Sequence, residues 1–395
     1  MVGFYQIRST LSQVTDGDIS AYIGAVSQAL GEELQRVSLE DYLKEDIALL
    51  YVASGGSEGF FLEIFEQVKH RYCYILTSGE TNSLAASMEI LSFLNKNGGC
   101  GEILHGDVQQ VADKLRSVLK AHRAKASLKG KNIGTIGSSS DWLIASNYCP
   151  DVMMAKLGMG FKSITIAELL EEYEKKEYPD NEYVQLFKTK EFDKDELEKA
   201  LYVYGAMKRL VEKYDLCGVT IRCFDLLDTI KTTGCIALAI LNAEGIYGGC
   251  EGDVPSLRSM AVLGAITGKP MFMCNANRFN TADGTGIFAH CTIPTTMLKD
   301  FCLNTHFESD IGVAVQGTFN EGDCTIFKGE GDLSRYHAQE GVIVPVEFSK
   351  MLCRTQVKIK LDDFSYFLQR PINNHHIMCF GKHAADVEAF FKLLD

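Results

Sequence analysis

DIALLYVASGGSEGFFLEIFEQVKH, residues 46–70, sets the grammar of the chain. A short apolar run ends in two glycines, and the residues after them repeat apolar side chains at helical spacing. The same sequence of events recurs in CYILTSGE (73–80) followed by TNSLAASMEILSFLNKNG (81–98), where Gly98 reads as a helix C-cap. GEILHG (101–106) then leads into VQQVADKLRSVLKAHRAKASLKG (108–130). Buried strands alternating with helices predict a parallel sheet covered on both faces.

The basic piece HRAKASLKGK (122–131) precedes a second series of this kind. NIGTIGSSSDWL (132–143) reads as strand, glycine turn and helix start. KSITIAELLEEYEKKE, the polar helix KDELEKALYVYGAMKRLVEKY and GVTIRCFDLL follow. From PMFMCNAN (270–277) the pattern changes to short strands with turns (GIFAHCTIP, IGVAVQGTF, DCTIFKGE, VKIKLD, HHIMCFG), closed by AADVEAFFKLLD. The expected fold is therefore α/β: two Rossmann-like parallel-sheet domains, residues 1–128 and 129–268, then a β-rich, barrel-like domain, 269–395.

A chain of 395 residues exceeds one ordinary core, which agrees with several domains. Its 46% hydrophobic and 23% charged residues are those of a globular protein. A net charge of −13 argues against nucleic acid or an anionic membrane as partner, because both require a basic face. No signal-peptide pattern opens the chain and no apolar stretch is long enough for a membrane span. Thirteen cysteines are scattered without a C-x-x-C pair, as expected of small core residues in a reducing compartment, so a cytoplasmic location is expected.

Ligands of open parallel sheets bind beyond the carboxyl ends of strands. There, in YGGCEGDVPSLRSM (247–260), Glu251 and Asp253 interrupt an apolar run. Asp253, two residues before Pro255, reads as a helix N-cap. Glu251 reads either as a first-turn acid or as a metal ligand or general base. FAHCTIP places His290 in an apolar segment, where a hydrogen-bonded core histidine is the plainer account. PINNHHIMCFGKH puts His375 and His376 side by side on a strand, so at most one faces a given site. In THFESDIG, alternation would set His306, Glu308 and Asp310 on one face, a polar site wall or else a solvated edge. The loops ASGGSEGF, TSGETNSL and IGSSSDWL match neither nucleotide-binding glycine pattern and read as ordinary α/β turns.

Taken in order, GCEGDVP, NAN, AHCTIP and NNHHIMCFG resemble the signature series of the L-fucose isomerase and L-arabinose isomerase superfamily, a resemblance spanning nearly the whole chain. It implies a divalent ion, manganese, with Glu251 both binding metal and moving protons. His290 would be one ligand, and alignment on the following Phe-Gly selects His375 over His376 as the other. Family isomerases carry a second acid where this chain has Asn275; an amide oxygen there can still ligate but accepts no proton. Glu251 and Asn275 are thus the expected catalytic pair. Arg222, Arg278, His306, Glu308 and His376 are the expected sugar contacts.

The expectation is a metal-dependent aldose–ketose isomerase acting on a pentose, a hexose or a modified sugar. A divalent ion would stabilise the enediolate while a carboxylate shuttles the proton. The resemblance further implies a hexamer or another trimer-based homo-oligomer. An epimerase on the same metal site, or a sugar-binding protein that has lost the chemistry, is the competing reading.

Overall fold

In the computed structural model, which describes residues 2–394, the stretch that opened the sequence reading becomes the strand Ala48–Val52, buried at every position, and the helix Glu58–Val68. That strand (β3) lies in a five-stranded parallel sheet with β1 (Val2–Ile7), β2 (Leu34–Arg36), β4 (Tyr72–Leu76) and β5 (Cys100–Leu104), in the order β2-β1-β3-β4-β5. Leu50, Val52 and Ile75 pack with Phe61, Phe65, Ile90 and Leu94 of the helices, so the apolar faces of strands and helices share one core. Gly98, at φ 82°, adopts the left-handed geometry expected where the helix Ser83–Lys96 ends. This first compact unit runs to His122, and a second begins at Arg123.

The second unit contains a four-stranded parallel sheet and a barrel. The sheet runs β7-β6-β8-β9, from β6 (Asn132–Ile136), β7 (Gly160–Ile164), β8 (Leu216–Ile221) and β9 (Tyr247–Cys250). The barrel is antiparallel and built from β10 (Phe272–Asn280), β11 (Thr285–His290), β14 (Gly322–Gly329), β15 (Tyr336–Val344), β16 (Thr355–Lys360) and β17 (His375–Phe380). It closes because β10 pairs with both β11 and β17. A separate hairpin, β12 (Asp300–Asn304) with β13 (Ala314–Thr318), completes the strands.

The helix Val254–Thr267 joins sheet and barrel. It packs against β6, β8 and β9 on one side and β14 and β17 on the other, which explains an apolar composition all the way round. Its single cation, Arg258, is buried and donates to the carbonyls of Glu330 and Gly331. Asp253 caps its start through the Ser256 amide (2.9 Å), and Gly268 at φ 63° ends it. Because one helix serves both layers, the carboxyl end of β9 meets the barrel, with the Cys250 amide 3.5 Å from Met273 Sδ of β10.

The expected face of His306, Glu308 and Asp310 does not form. These residues make the tight loop between β12 and β13, where Asp310 adopts φ 55° and its amide bonds back to the His306 carbonyl (2.9 Å). Alternation fails because the chain turns there. All thirteen cysteines are free thiols. Among the described residues no helix is long and apolar enough to cross a membrane.

Candidate metal centre

Glu251 follows the last residue of β9 in a conformation that costs energy. Its φ is 61° and that of Gly252 is 68°, two successive left-handed residues that turn the chain sharply from strand to helix. A non-glycine residue there is uncommon, and such strain costs about 1–3 kcal/mol. Glycine is required next: a Cβ on Gly252 would lie 2.3 Å from the Ser138 carbonyl oxygen. The loop after β6 grips this turn, with the Ser140 amide on the Glu251 carbonyl (2.9 Å) and the Ser139 hydroxyl on the Gly252 carbonyl (2.9 Å). The strain is thus held by one amide and one hydroxyl of the same neighbouring loop.

The turn aims Glu251 at two histidines of the barrel. Its Oε1 lies 3.5 Å from Nε2 of His375, the first residue of β17, and 3.9 Å from Nε2 of His290, the last residue of β11. Its Oε2 accepts a 2.6 Å hydrogen bond from the Trp142 indole. On the far side of His375, Nδ1 donates to Oδ2 of Asp253 at 2.8 Å. Asp253 also accepts from the Ser256 hydroxyl (2.7 Å), which in turn accepts from the buried Lys328 ammonium; Lys328 Nζ stands 3.8 Å from Asp253.

These contacts decide the charges. Burial alone would raise the Glu251 carboxyl, but the charges of His375 and His290, with the Trp142 indole, bring it to about 2. Burial likewise opposes ionisation of Asp253, yet Lys328, His375 and Ser256 hold it well below the usual carboxylate range. His375, despite burial, is lifted to about 9 by Asp253 and Glu251. His290 goes the other way, lowered to about 4 mainly by burial and further by the His375 charge.

Glu251, His290 and His375 each offer one ligand atom, and the three atoms lie within 4.8 Å of one another; the group could hold a metal ion. Two further observations fit one. Nε2 of His290 and Nε2 of His375 are buried without any hydrogen-bond partner, an arrangement native proteins rarely leave unexplained. Asp253 fixes the proton of His375 on Nδ1, so loss of the second proton leaves the Nε2 lone pair facing Glu251; this carboxylate–histidine pairing orients metal-bound imidazoles generally. His290 is set differently. The Cys291 amide donates to its Nδ1 (2.9 Å), which places the neutral ring's proton on Nε2. A metal on Nε2 would require that proton on Nδ1 and the Cys291 amide released from it, with Thr292 Oγ1, 3.3 Å away, as the acceptor at hand.

The structure brings together Glu251, His290 and His375 and separates His376 from them. As neighbours on β17 the two histidines face opposite ways: His376 donates from Nδ1 to the Asn374 carbonyl and accepts from the Tyr366 hydroxyl (3.0 Å) beside Phe367. Its expected sugar contact is therefore replaced by a place in an aromatic cluster. Asn275, on β10, lies directly across from His375 on β17, its Oδ1 accepting from Asn374 (3.2 Å). Arg222 directs its guanidinium to Ser138, Ser139, Asp141 and Asp225, bracing the loop after β6. Arg278 is exposed further along β10. His306 is buried, bonded to Ser309 (3.0 Å) and edge-on to Phe224 (5.8 Å). Glu308, in the same loop, is raised by partial burial, with the Glu251 charge adding and His306 opposing. Sequence reasoning missed Trp142, Lys328 and the second role of Asp253. A lone tryptophan after IGSSSD was the one available signal, and it carries no spacing that points to Glu251.

No protein-family model matches the chain, and neither does any curated protein.

Proposed function

We propose that the Glu251–His290–His375 group binds a divalent ion, manganese foremost, and that the protein is an aldose–ketose isomerase of the L-fucose/L-arabinose isomerase kind. One observation carries the reading: a buried carboxylate faces two unpartnered imidazole nitrogens, one of them oriented by a second buried carboxylate. Oxygen and imidazole donors suit manganese, with zinc or cobalt as competitors. Three protein ligands leave coordination positions for a substrate's oxygens, as catalytic metal sites do. When bound, the ion supplies charge stabilisation for the enediolate of a sugar.

The chain's own residues divide the remaining work. Glu251, held near 2, is ionised at neutral pH and serves better as ligand than as proton acceptor. Both oxygens of Asp253 are engaged and wholly buried, which removes it as the second acid. Asn275 has no titratable proton. Glu308 remains, with its pKa raised and near enough to Glu251 for that charge to bear on it; it is assigned the proton transfer between neighbouring carbons. The cytoplasm, a reducing compartment, suits thirteen free thiols, and assembly as a trimer-based homo-oligomer belongs to the same reading.

The test is a screen of aldoses and ketoses with Mn2+, detecting isomers of unchanged mass, with Glu251→Gln alongside. Isomer formation lost in the variant is expected. A new epimer instead of a ketose would move the reaction to epimerisation. Conversion of no sugar would overturn the enzymatic reading in favour of a binding protein.

A further inference from the structure

Trp142 is the only tryptophan of the chain, and its placement is unusual. The residue is 51% exposed, yet its indole N–H is committed to Glu251 Oε2 at 2.6 Å. Phe224 supports the ring edge-to-face at 4.9 Å. The loop beneath is fixed at several points: Arg222 grips Asp141 through two nitrogens (3.1 and 2.9 Å) and the Ser139 carbonyl (3.0 Å), while Ser139 and Ser140 bind the Glu251–Gly252 turn. A large apolar ring is therefore held rigid, half in solvent, against the Glu251 carboxylate.

Two consequences follow from the geometry. With Oε2 taken by the indole, only Oε1 faces the histidines, which keeps Glu251 a one-oxygen ligand. The half-exposed ring also covers the Oε2 side of Glu251, with the buried, unpartnered Ser140 hydroxyl two residues away in the chain. An apolar wall with a few fixed polar groups is how ligand sites recognise molecules having one apolar and one polar face. Ring-closed sugars are such molecules, with C–H groups on a face and hydroxyls at the edge.

We propose that Trp142 is a positioning residue for Glu251 and the wall against which the ring of a sugar lies. The sugar class rests on the proposed function; the hold on Glu251 does not.

The test uses the full chain and, as first probe, Mn2+ alone. Free-Mn2+ electron paramagnetic resonance gives the affinity of wild type and Trp142→Phe, which keeps a ring but loses the N–H. An affinity about tenfold or more weaker in the variant is expected, in line with outer-shell partners of metal ligands. Equal affinities would overturn the positioning role. The second arm follows Trp142 emission, which reports this site alone, in Mn2+-saturated wild type. At least one sugar of an aldose and ketose panel is expected to protect it from acrylamide quenching. Protection by none would overturn the wall. Protection without any isomer formed would leave the wall standing and remove the isomerase reading, so the two fail separately.

Discussion

Asp253 Oδ2 and His375 Nδ1 lie 2.8 Å apart with neither side chain exposed to solvent. The pair ties the N-terminus of the helix Val254–Thr267 to the first residue of β17, so the element that joins sheet and barrel also sets the orientation of an imidazole of the candidate metal centre. Asp253→Asn keeps a capping oxygen for Ser256 but no longer compels His375 to carry its proton on Nδ1. Mn2+ affinity is expected to fall about 10–100-fold while the helix cap survives. Calorimetric titration measures the first, and the far-ultraviolet circular dichroism spectrum should stay unchanged.

Stability of the metal-free chain should depend on pH with a recognisable shape. His375 titrates at about 9 in the folded chain against 6.5 for the ordinary residue. Its contribution is therefore complete below about pH 6.5 and is lost as pH rises through about 9. Lys328 has the opposite sign: burial lowers it from 10.5 to about 8, so the unfolded chain binds more protons above that pH and stability recovers. Urea midpoints measured between pH 6 and 10 are expected to fall first and then flatten or rise. His375→Gln should remove the fall and Lys328→Met the recovery.

Gly252→Ala probes the strained turn. The new methyl meets the Ser138 carbonyl oxygen at 2.3 Å on a backbone of φ 68°, so the loops after β6 and β9 must separate. A loss of roughly 1–3 kcal/mol is expected from the backbone alone, measured by denaturant unfolding. Gly268→Ala, equally left-handed at φ 63° but with open space around it, provides the comparison and should cost less.

Asn275→Asp tests whether a second acid beside the candidate metal centre strengthens it. Asn275 sits across from His375 on the adjacent strand, where paired side chains share a face. A carboxylate there adds a negative charge beside the imidazole, and Mn2+ binding is expected to tighten. Unchanged binding would mean that position 275 does not reach the ion.

Much of this was legible in the sequence because it depends on local pattern. Apolar runs ending in glycines announced the parallel sheets, and adjacent histidines on a strand had to face apart, which His375 and His376 do. Glu251 was conspicuous as an acid in an apolar context. What escaped depends on contacts distant along the chain. β15 begins with YHAQE, polar enough to read as loop, and is a strand because β14 and β16 flank it. Asp253 reads correctly as a cap, yet its second oxygen meets a histidine far along the chain that only barrel closure brings near. THFESDIG imitates strand alternation, but Asp310 and Gly312 take left-handed angles and reverse the chain.

The most direct test is anomalous diffraction near the manganese edge from crystals of the full chain grown with Mn2+. The account predicts one strong peak in bonding contact with Glu251 Oε1 and His375 Nε2, absent in Glu251→Gln. A peak elsewhere, or none while Glu251, His290 and His375 keep their places, would contradict it.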